Sequence, residues 1–308
     1  DGKLTCGLSD PLIRSILHTF VACGAPEDIL ADARPHIGTD LLRGALKTLR
    51  GQLLKLGAEI LFERKVTGLE VNNGRVSAVE VGEERFETDA VYLATGHSAR
   101  DVYAWLNAMQ VPLGSKPFAV GVRIEHPQAL IDQAQYGGFA GHPALPPAEY
   151  KLNVKTPDGR GVYTFCMCPG GEVINASSET GRLNLNGMSL HARGGGNANA
   201  ALLVGVRPSD FGNPLDGIEF QRKVEEAAFA IGGFSAPCQR AEDFLAGRPS
   251  RGFGAVRPSY RPGTVPGELA GIFPGFIADN LRYALPLLGK RLQGFDLPNA
   301  LLLAPETR

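Results

Sequence analysis

The sequence has almost no charge of one sign in excess: 31 Lys and Arg against 32 Asp and Glu leave a formal net charge of −1. That balance excludes the basic footprint with which proteins hold nucleic acid, and no nucleic-acid partner is expected. No apolar run approaches the ~20 residues of a membrane-spanning helix, so no membrane partner is expected either. Cysteine is scarce, five in 308 residues, and an odd number closes no complete disulfide framework. A reducing compartment follows, and the cytoplasm is the expected location. Neither Cys-x-x-Cys nor His-Glu-x-x-His occurs, so no metal site is expected. A Gly-x-Gly-x-x-Gly phosphate turn is also missing. The one glycine cluster, Gly194-Gly195-Gly196-Asn197-Ala198-Asn199, follows no clear strand, lacks a small sixth residue, and reads as a flexible surface loop.

What is present fits a globular chain with a large core. Hydrophobic residues make up 44% and charged residues 20%, while 39 glycines and 22 prolines call for many turns. The length allows two domains. Asp10-Pro11 followed by Leu12, Ile13, Ile16, Leu17, Phe20 and Val21 at helical spacing predicts a helix to residue 22. A second helix is expected from Thr39, as its cap, through Leu41, Leu42, Ala45, Leu46, Leu49, Leu53 and Leu54 to Gly57. Strand Ala58 to Phe62 follows, the start of a crossover to a parallel strand at Val91 to Ala94. Between these two lies a meander of Val66 to Val71, the turn Asn72-Asn73-Gly74, Val76 to Val81, and Glu84 to Glu87. Composition shifts near Val111-Pro112-Leu113-Gly114, which puts one domain at 1–112 and a second at 113–308, with a return toward the first near 298–308. In the second, strands are expected at Phe118 to Ile124, Tyr150 to Val154, Gly161 to Cys166, Ala201 to Val206 and Ala300 to Leu303. Helices are expected near Gln128 to Ala134, Ile218 to Ile231 and Phe276 to Leu285.

The most informative stretch is Val91-Tyr92-Leu93-Ala94-Thr95-Gly96-His97-Ser98-Ala99-Arg100-Asp101, an apolar strand that ends in a glycine and passes into a helix. Ser98 with Asp101 is a capping-box pattern, which places the helix start at Ala99. A turn at the carboxyl end of a parallel strand is where such sheets bind nucleotides, so Thr95 and Gly96 are ligand-contact candidates.

This stretch resembles the second sequence element of two-dinucleotide-binding-domain flavoproteins. Together with Asp1-Gly2-Lys3-Leu4, Pro35-His36-Ile37-Gly38-Thr39-Asp40, Lys116 to Pro127, Ala134-Gln135-Tyr136-Gly137, Gly161 to Gly171 and Phe244 to Ser250, it resembles the bacterial NAD(P)/FAD-dependent oxidoreductase (FAD-dependent dehydrogenase) family along the whole chain. The resemblance implies an α/β fold: the latter part of a Rossmann-like FAD domain with an inserted β-meander, then a mixed α+β substrate domain. It implies FAD as cofactor, NAD(P)H as a reductant, and a small-molecule substrate. Cofactor contacts are implied at Ala94, Thr95, Gly96, Val66, Gly38, Thr39 and Lys3, with Lys3 a fixed positive charge beside the flavin. Family members carry a glycine fingerprint before Asp1 and a glycine-rich element after Glu306-Thr307-Arg308, so the chain is expected to be an internal portion of a longer flavoprotein.

No catalytic residue is singled out. His36 and His97 are candidate proton carriers at physiological pH, and either equally suits a structural role. Cys166 and Cys168 are two apart on a strand and share a face, open to thiol redox or to simple packing. Arg123, Arg248, Arg251, Arg257 and Arg261 are candidates for an anionic substrate, with Tyr136 and Tyr163 of similar standing. The alternatives to a flavoenzyme are a non-catalytic binding domain that keeps the fold without cofactor, and a thiol enzyme built on Cys166 and Cys168. The oligomeric state stays open.

Overall fold

The computed structural model describes residues 3–4 and 9–307; Asp1 and Gly2, quoted above, lie outside them. Helix α1 (Leu12–Ala22) starts where Asp10 and Pro11 place it, with the Leu12 amide donating to Asp10 Oδ1 at 2.8 Å. Helix α2 (Thr39–Lys55) ends before Gly57, whose φ of 88° reverses the chain. Their apolar stripes meet in a small core of Cys23, Ala25, Ile29, Ile37 and Ala45, with Leu17, Phe20, Leu42 and Leu49 packed around it. The expected meander is present as an antiparallel sheet of β1 (Gly68–Asn72), β2 (Arg75–Val81) and β3 (Glu84–Glu87). Positive φ at both Asn73 and Gly74 closes its first hairpin, as the Asn-Gly pair requires.

Two expectations fail here. Residues 58–62 and 91–96 carry no strand, and Tyr92 is 95% exposed. An apolar run becomes a parallel strand only when neighbours take its amides and carbonyls, and among the described residues none lies alongside. The parallel pair of a Rossmann-like half is therefore not formed in the described residues. Helix α3 (Arg100–Ala108) begins one residue late, with Ala99 at the cap position, and Asp101 pairs with Lys65 at 2.8 Å.

The rest of the described chain builds a seven-stranded mixed sheet and a two-stranded one. In chain order come β4 (Phe118–Pro127), α4 (Gln128–Tyr136), β5 (Asn153–Lys155), β6 (Gly161–Cys168), β7 (Glu172–Asn175), β8 (Leu185–Met188) and β9 (Asn197–Val206). Then follow α5 (Asp216–Gly232), β10 (Ala236–Arg240), α6 (Ala241–Leu245), β11 (Thr264–Pro266), α7 (Gly275–Gly289) and β12 (Leu301–Glu306). The strand order is β11-β10-β12-β4-β9-β6-β5, antiparallel except for β10 with β11, and β7 and β8 form a separate pair. The whole is a mixed α/β fold with seven α-helices among the described residues. None is long and apolar enough to cross a membrane.

Period-two alternation divides the two faces of the central strands. Val120, Val122 and Ile124 of β4 and Leu202 and Val204 of β9 share the main core with Ile277, Leu281, Leu285 and Leu288 of α7. Ala119, Ala201, Leu203 and Tyr163 form a second, smaller cluster on the opposite face. Each core leucine or isoleucine contributes about 1.5–3 kcal/mol through burial.

His126, next in the even series of β4, is fully buried, and its Nε2 donates to the Phe295 carbonyl at 2.7 Å. Burial lowers its pKa to about 4. The folded state thus favours the neutral ring: stability is present above the free-histidine value of ~6.5 and is lost as pH falls through 4. Between pH 7 and pH 4 the advantage of the native chain over His126→Phe should shrink by about 3 kcal/mol. Urea denaturation of both proteins at the two pH values reads it directly; parallel losses would refute the assignment.

Candidate functional site

The odd residues of β4 place charge on the face away from the main core. Arg123 is completely buried there. Its Nη1 donates to Glu306 Oε2 at 3.0 Å, and its Nη2 donates to Asn199 Oδ1, to the Cys166 carbonyl at 3.2 Å and toward Cys168 Sγ at 3.6 Å. Strand register makes this cluster. Leu303 lies opposite Arg123, and an irregularity between Leu303 and Glu306 brings Glu306 opposite Gly121, while Asn199 pairs with Glu125 one step along β9. Gly187 of β8 closes over the guanidinium, where a Cβ would overlap Arg123 Nη2 and Asn199 Oδ1. Burial raises Glu306 to about 7 against the opposing pull of Arg123.

The thiols lie beside this ion pair. The end of β6 is irregular between Phe165 and Cys168, and Cys166 has a φ of 47°. Regular alternation, on which the sequence placed the two cysteines on one face, is therefore broken between them. Both nevertheless reach one cation: Lys3 Nζ lies 3.2 Å from Cys166 Sγ, 3.1 Å from Cys168 Sγ and 2.7 Å from the Met167 carbonyl. Lys3 is held by a β-bridge to His36, and the next residue's amide, Leu4, donates to the Pro35 carbonyl at 3.0 Å. Cys168 Sγ also donates to the Cys166 carbonyl at 3.2 Å; the neighbouring Cys166 side chain, Arg123 and Lys3 hold Cys168 well below the ordinary thiol range, while Cys166 is pushed up. Burial lowers His36, with Arg193 adding to it.

A cavity of about 870 Å³ opens on the same sheet face. Ala119, Tyr163, Phe165 and Leu203 line it from the sheet, His97, Arg100 and Tyr103 from α3 and its approach, and Ile218 and Gln221 from α5. Arg100 ties two of these walls together. It donates to Glu225 at 2.8 and 2.9 Å, to Glu179 at 2.5 Å and to Gln221 at 3.2 Å, with Arg100 and Glu225 both buried.

The expected cofactor residues fall into three places. Lys3 joins Cys166, Cys168 and Arg123. Gly38 and Thr39 dock α2 on the turn before β9: the Thr39 amide donates to the Ser189 carbonyl at 3.2 Å, and Asp40 Oδ1 accepts the His191 amide at 2.9 Å. Gly38, with a φ of 88°, occupies the cap position expected of Thr39, and a Cβ there would overlap the His191 backbone. Ala94, Thr95 and Gly96 are exposed and lead into the cavity wall at His97; Gly96 does turn, with a φ of 77°. Val66 is half-buried on the approach to β1, which begins at Gly68.

Among the other candidates, Tyr163 lines the cavity, whereas Tyr136 donates to the Pro146 carbonyl at 3.0 Å away from it. Arg248 pairs with Asp243 and Arg261 with Glu172, and Arg251 and Arg257 are exposed. The Gly194–Gly196 loop is pinned rather than loose: the Gly195 amide donates to Gly170 at 3.0 Å, and Gly196 accepts from the Gln128 amide at 2.8 Å. Sequence reasoning missed Glu306, Asn199, Gly187 and Glu225. The available signal was β4 itself, where Arg123 and Glu125 interrupt an apolar strand at every second residue. Among the described residues no three His, Cys, Asp or Glu groups are placed to hold a metal.

Residues 117–308 match the model of a family described as FAD-dependent protein, C-terminal domain-like. An uncharacterized protein of Clostridium beijerinckii is 42% identical over 313 residues, an alignment that takes in 100% of this chain and 59% of the relative. The chain thus spans 59% of the length of that relative.

Proposed function

The chain belongs to the FAD-dependent protein, C-terminal domain-like family, and from that premise we propose that it is part of a flavoprotein oxidoreductase that passes hydride or electrons between FAD and a small-molecule substrate or a nicotinamide nucleotide. The observation that carries the reading is the cavity on the free face of the sheet, whose lining begins at His97, the residue that follows the Thr95-Gly96 turn. Its residues fit a planar aromatic cofactor with polar edges. Tyr163, Phe165, Leu203 and Ala119 offer an apolar wall, and Phe165 is 57% exposed on it. A Cβ at Gly96 would meet nothing within 4 Å, so the turn leaves its backbone open to a ligand. Arg100 Nε, in the cavity wall, is buried with no hydrogen-bond partner among the described residues.

In this reading Ala94, Thr95, Gly96 and Val66 hold FAD through backbone contacts, and Lys3 supplies fixed positive charge. FAD, when bound, supplies the two-electron chemistry. The chain's own residues shape the site: Tyr163, Phe165 and Leu203 exclude water from it. Gly38 and Thr39 act one step removed, fixing α2 and with it His36 and the Lys3 strand segment.

The test compares this chain with one extended through its reading frame at both ends, by visible flavin absorbance after gel filtration. Flavin co-eluting with the extended protein is the expected result. No flavin on either protein, both being soluble, would overturn the reading in favour of a cofactor-free binding domain.

A further inference from the structure

The flavin reading makes no use of the two thiols, yet they are the most concentrated nucleophilic group among the described residues. We propose that Cys166 and Cys168 are a redox-active dithiol that closes to an intramolecular disulfide by exchange with low-molecular-mass disulfides. This goes beyond the flavin reading and does not rest on it.

Three features of the geometry carry it. The left-handed Cys166 backbone and the irregularity of β6 bend the chain between the cysteines, so that both sulfurs come within 3.2 Å of one atom, Lys3 Nζ, and Cys168 Sγ turns back on the Cys166 carbonyl at 3.2 Å. On a regular strand, side chains two apart run parallel and stay apart. Two cations, Lys3 and Arg123, face the pair, and thiolate is the reactive form that cations favour. Among the described residues the other titratable groups that face it are Glu306, His36 and Tyr150. Finally, the two sulfurs differ in access: Cys166 is partly exposed and Cys168 buried, the arrangement of an attacking thiol backed by a resolving one. Cys23 and Cys238 are buried apart from this pair, and burial pushes the Cys238 thiol up.

The exchange balances as follows. Cys166, the accessible thiol, gives up its proton to water, and its thiolate beside Lys3 attacks one sulfur of the small disulfide. A Cys166 mixed disulfide forms, and one thiol leaves after taking a proton from water. Cys168 then attacks Cys166 Sγ, its proton passing through water to the departing sulfur, which forms the intramolecular disulfide and releases the second thiol. Two protein thiols are oxidised, and one small disulfide is reduced to two thiols.

The whole chain is equilibrated in mixtures of reduced and oxidised glutathione, quenched in acid, alkylated and cleaved with trypsin. Cleavage after Arg160 and Arg182 gives one peptide that contains Cys166 and Cys168 and none of Cys6, Cys23 or Cys238. The expected result is a reversible conversion of that peptide from a doubly alkylated form to an unalkylated form two hydrogens lighter. Two alkyl groups at every glutathione ratio, or glutathione adducts that never resolve, would overturn the proposal. As a second measurement, iodoacetamide should alkylate the pair roughly tenfold more slowly at pH 7 in Lys3→Met, and at near-native rate in Lys3→Arg. An unchanged rate in Lys3→Met would overturn activation of the pair by Lys3. Absorbance of the same samples reports flavin separately, so failure of the flavin reading leaves the thiol result standing, and the reverse.

Discussion

Arg123→Met is expected to destabilise the protein by about 3–5 kcal/mol, the cost of leaving a buried carboxylate without its cation. Arg123 and Glu306 are 0% and 2% exposed, so water cannot take over from the lost guanidinium. Asn199 Oδ1 and the Cys166 carbonyl lose their donor as well. The deficit should depend on pH in a defined direction. A carboxyl raised to about 7 stabilises the fold while protonated, an effect present below the free value of ~4.5 and lost as pH rises through 7. Without Arg123 the group rises further, so the variant should lose more at pH 8 than at pH 5. Urea denaturation at both values checks this, and Arg123→Met combined with Glu306→Gln should recover most of the loss. A single-variant cost under about 1 kcal/mol at pH 8 would mean that water reaches the cluster.

The second large effect is expected at Arg100. Arg100→Met leaves the buried Glu225 without its bidentate partner and cuts α3 from α5 on either side of the cavity. Because the loss is concentrated at that junction, it should appear as local opening before global unfolding. The amides of α3 should exchange with solvent on the order of a hundredfold faster, while those of β4 and β9 change little. Equal acceleration in all three would show that the cavity walls open only with the whole protein.

What could be read ahead of the structure was local. Helices α1 and α2, the Asn73-Gly74 hairpin, β4, α5 and α7 follow from spacing and turn residues within each segment. Residues 58–62 and 91–94 have strand-like composition too, but a strand is completed by its neighbours, which no local pattern supplies. Thr39 is a good capping residue displaced by Gly38, because α2 must come closer to His191 than any side chain allows. Lys3, Arg123, Cys166 and Cys168 each stand out by residue type, yet nothing in the sequence says that they meet. Arg123 and Glu306 are 183 residues apart, and only the β4–β12 register joins them.

That register has a consequence for how the chain finds its fold. Strand β4 is paired on both sides, by β12 and β9, and carries apolar residues on one face and Arg123 and Glu125 on the other. Sliding it by a single position would drive a guanidinium and a carboxylate into the packing against α7, and would strand Val122 and Ile124 among charges. Near-miss pairings are thereby made far costlier than those of an all-apolar strand. The ion pair in the middle of the sheet proofreads the alignment of three strands at once.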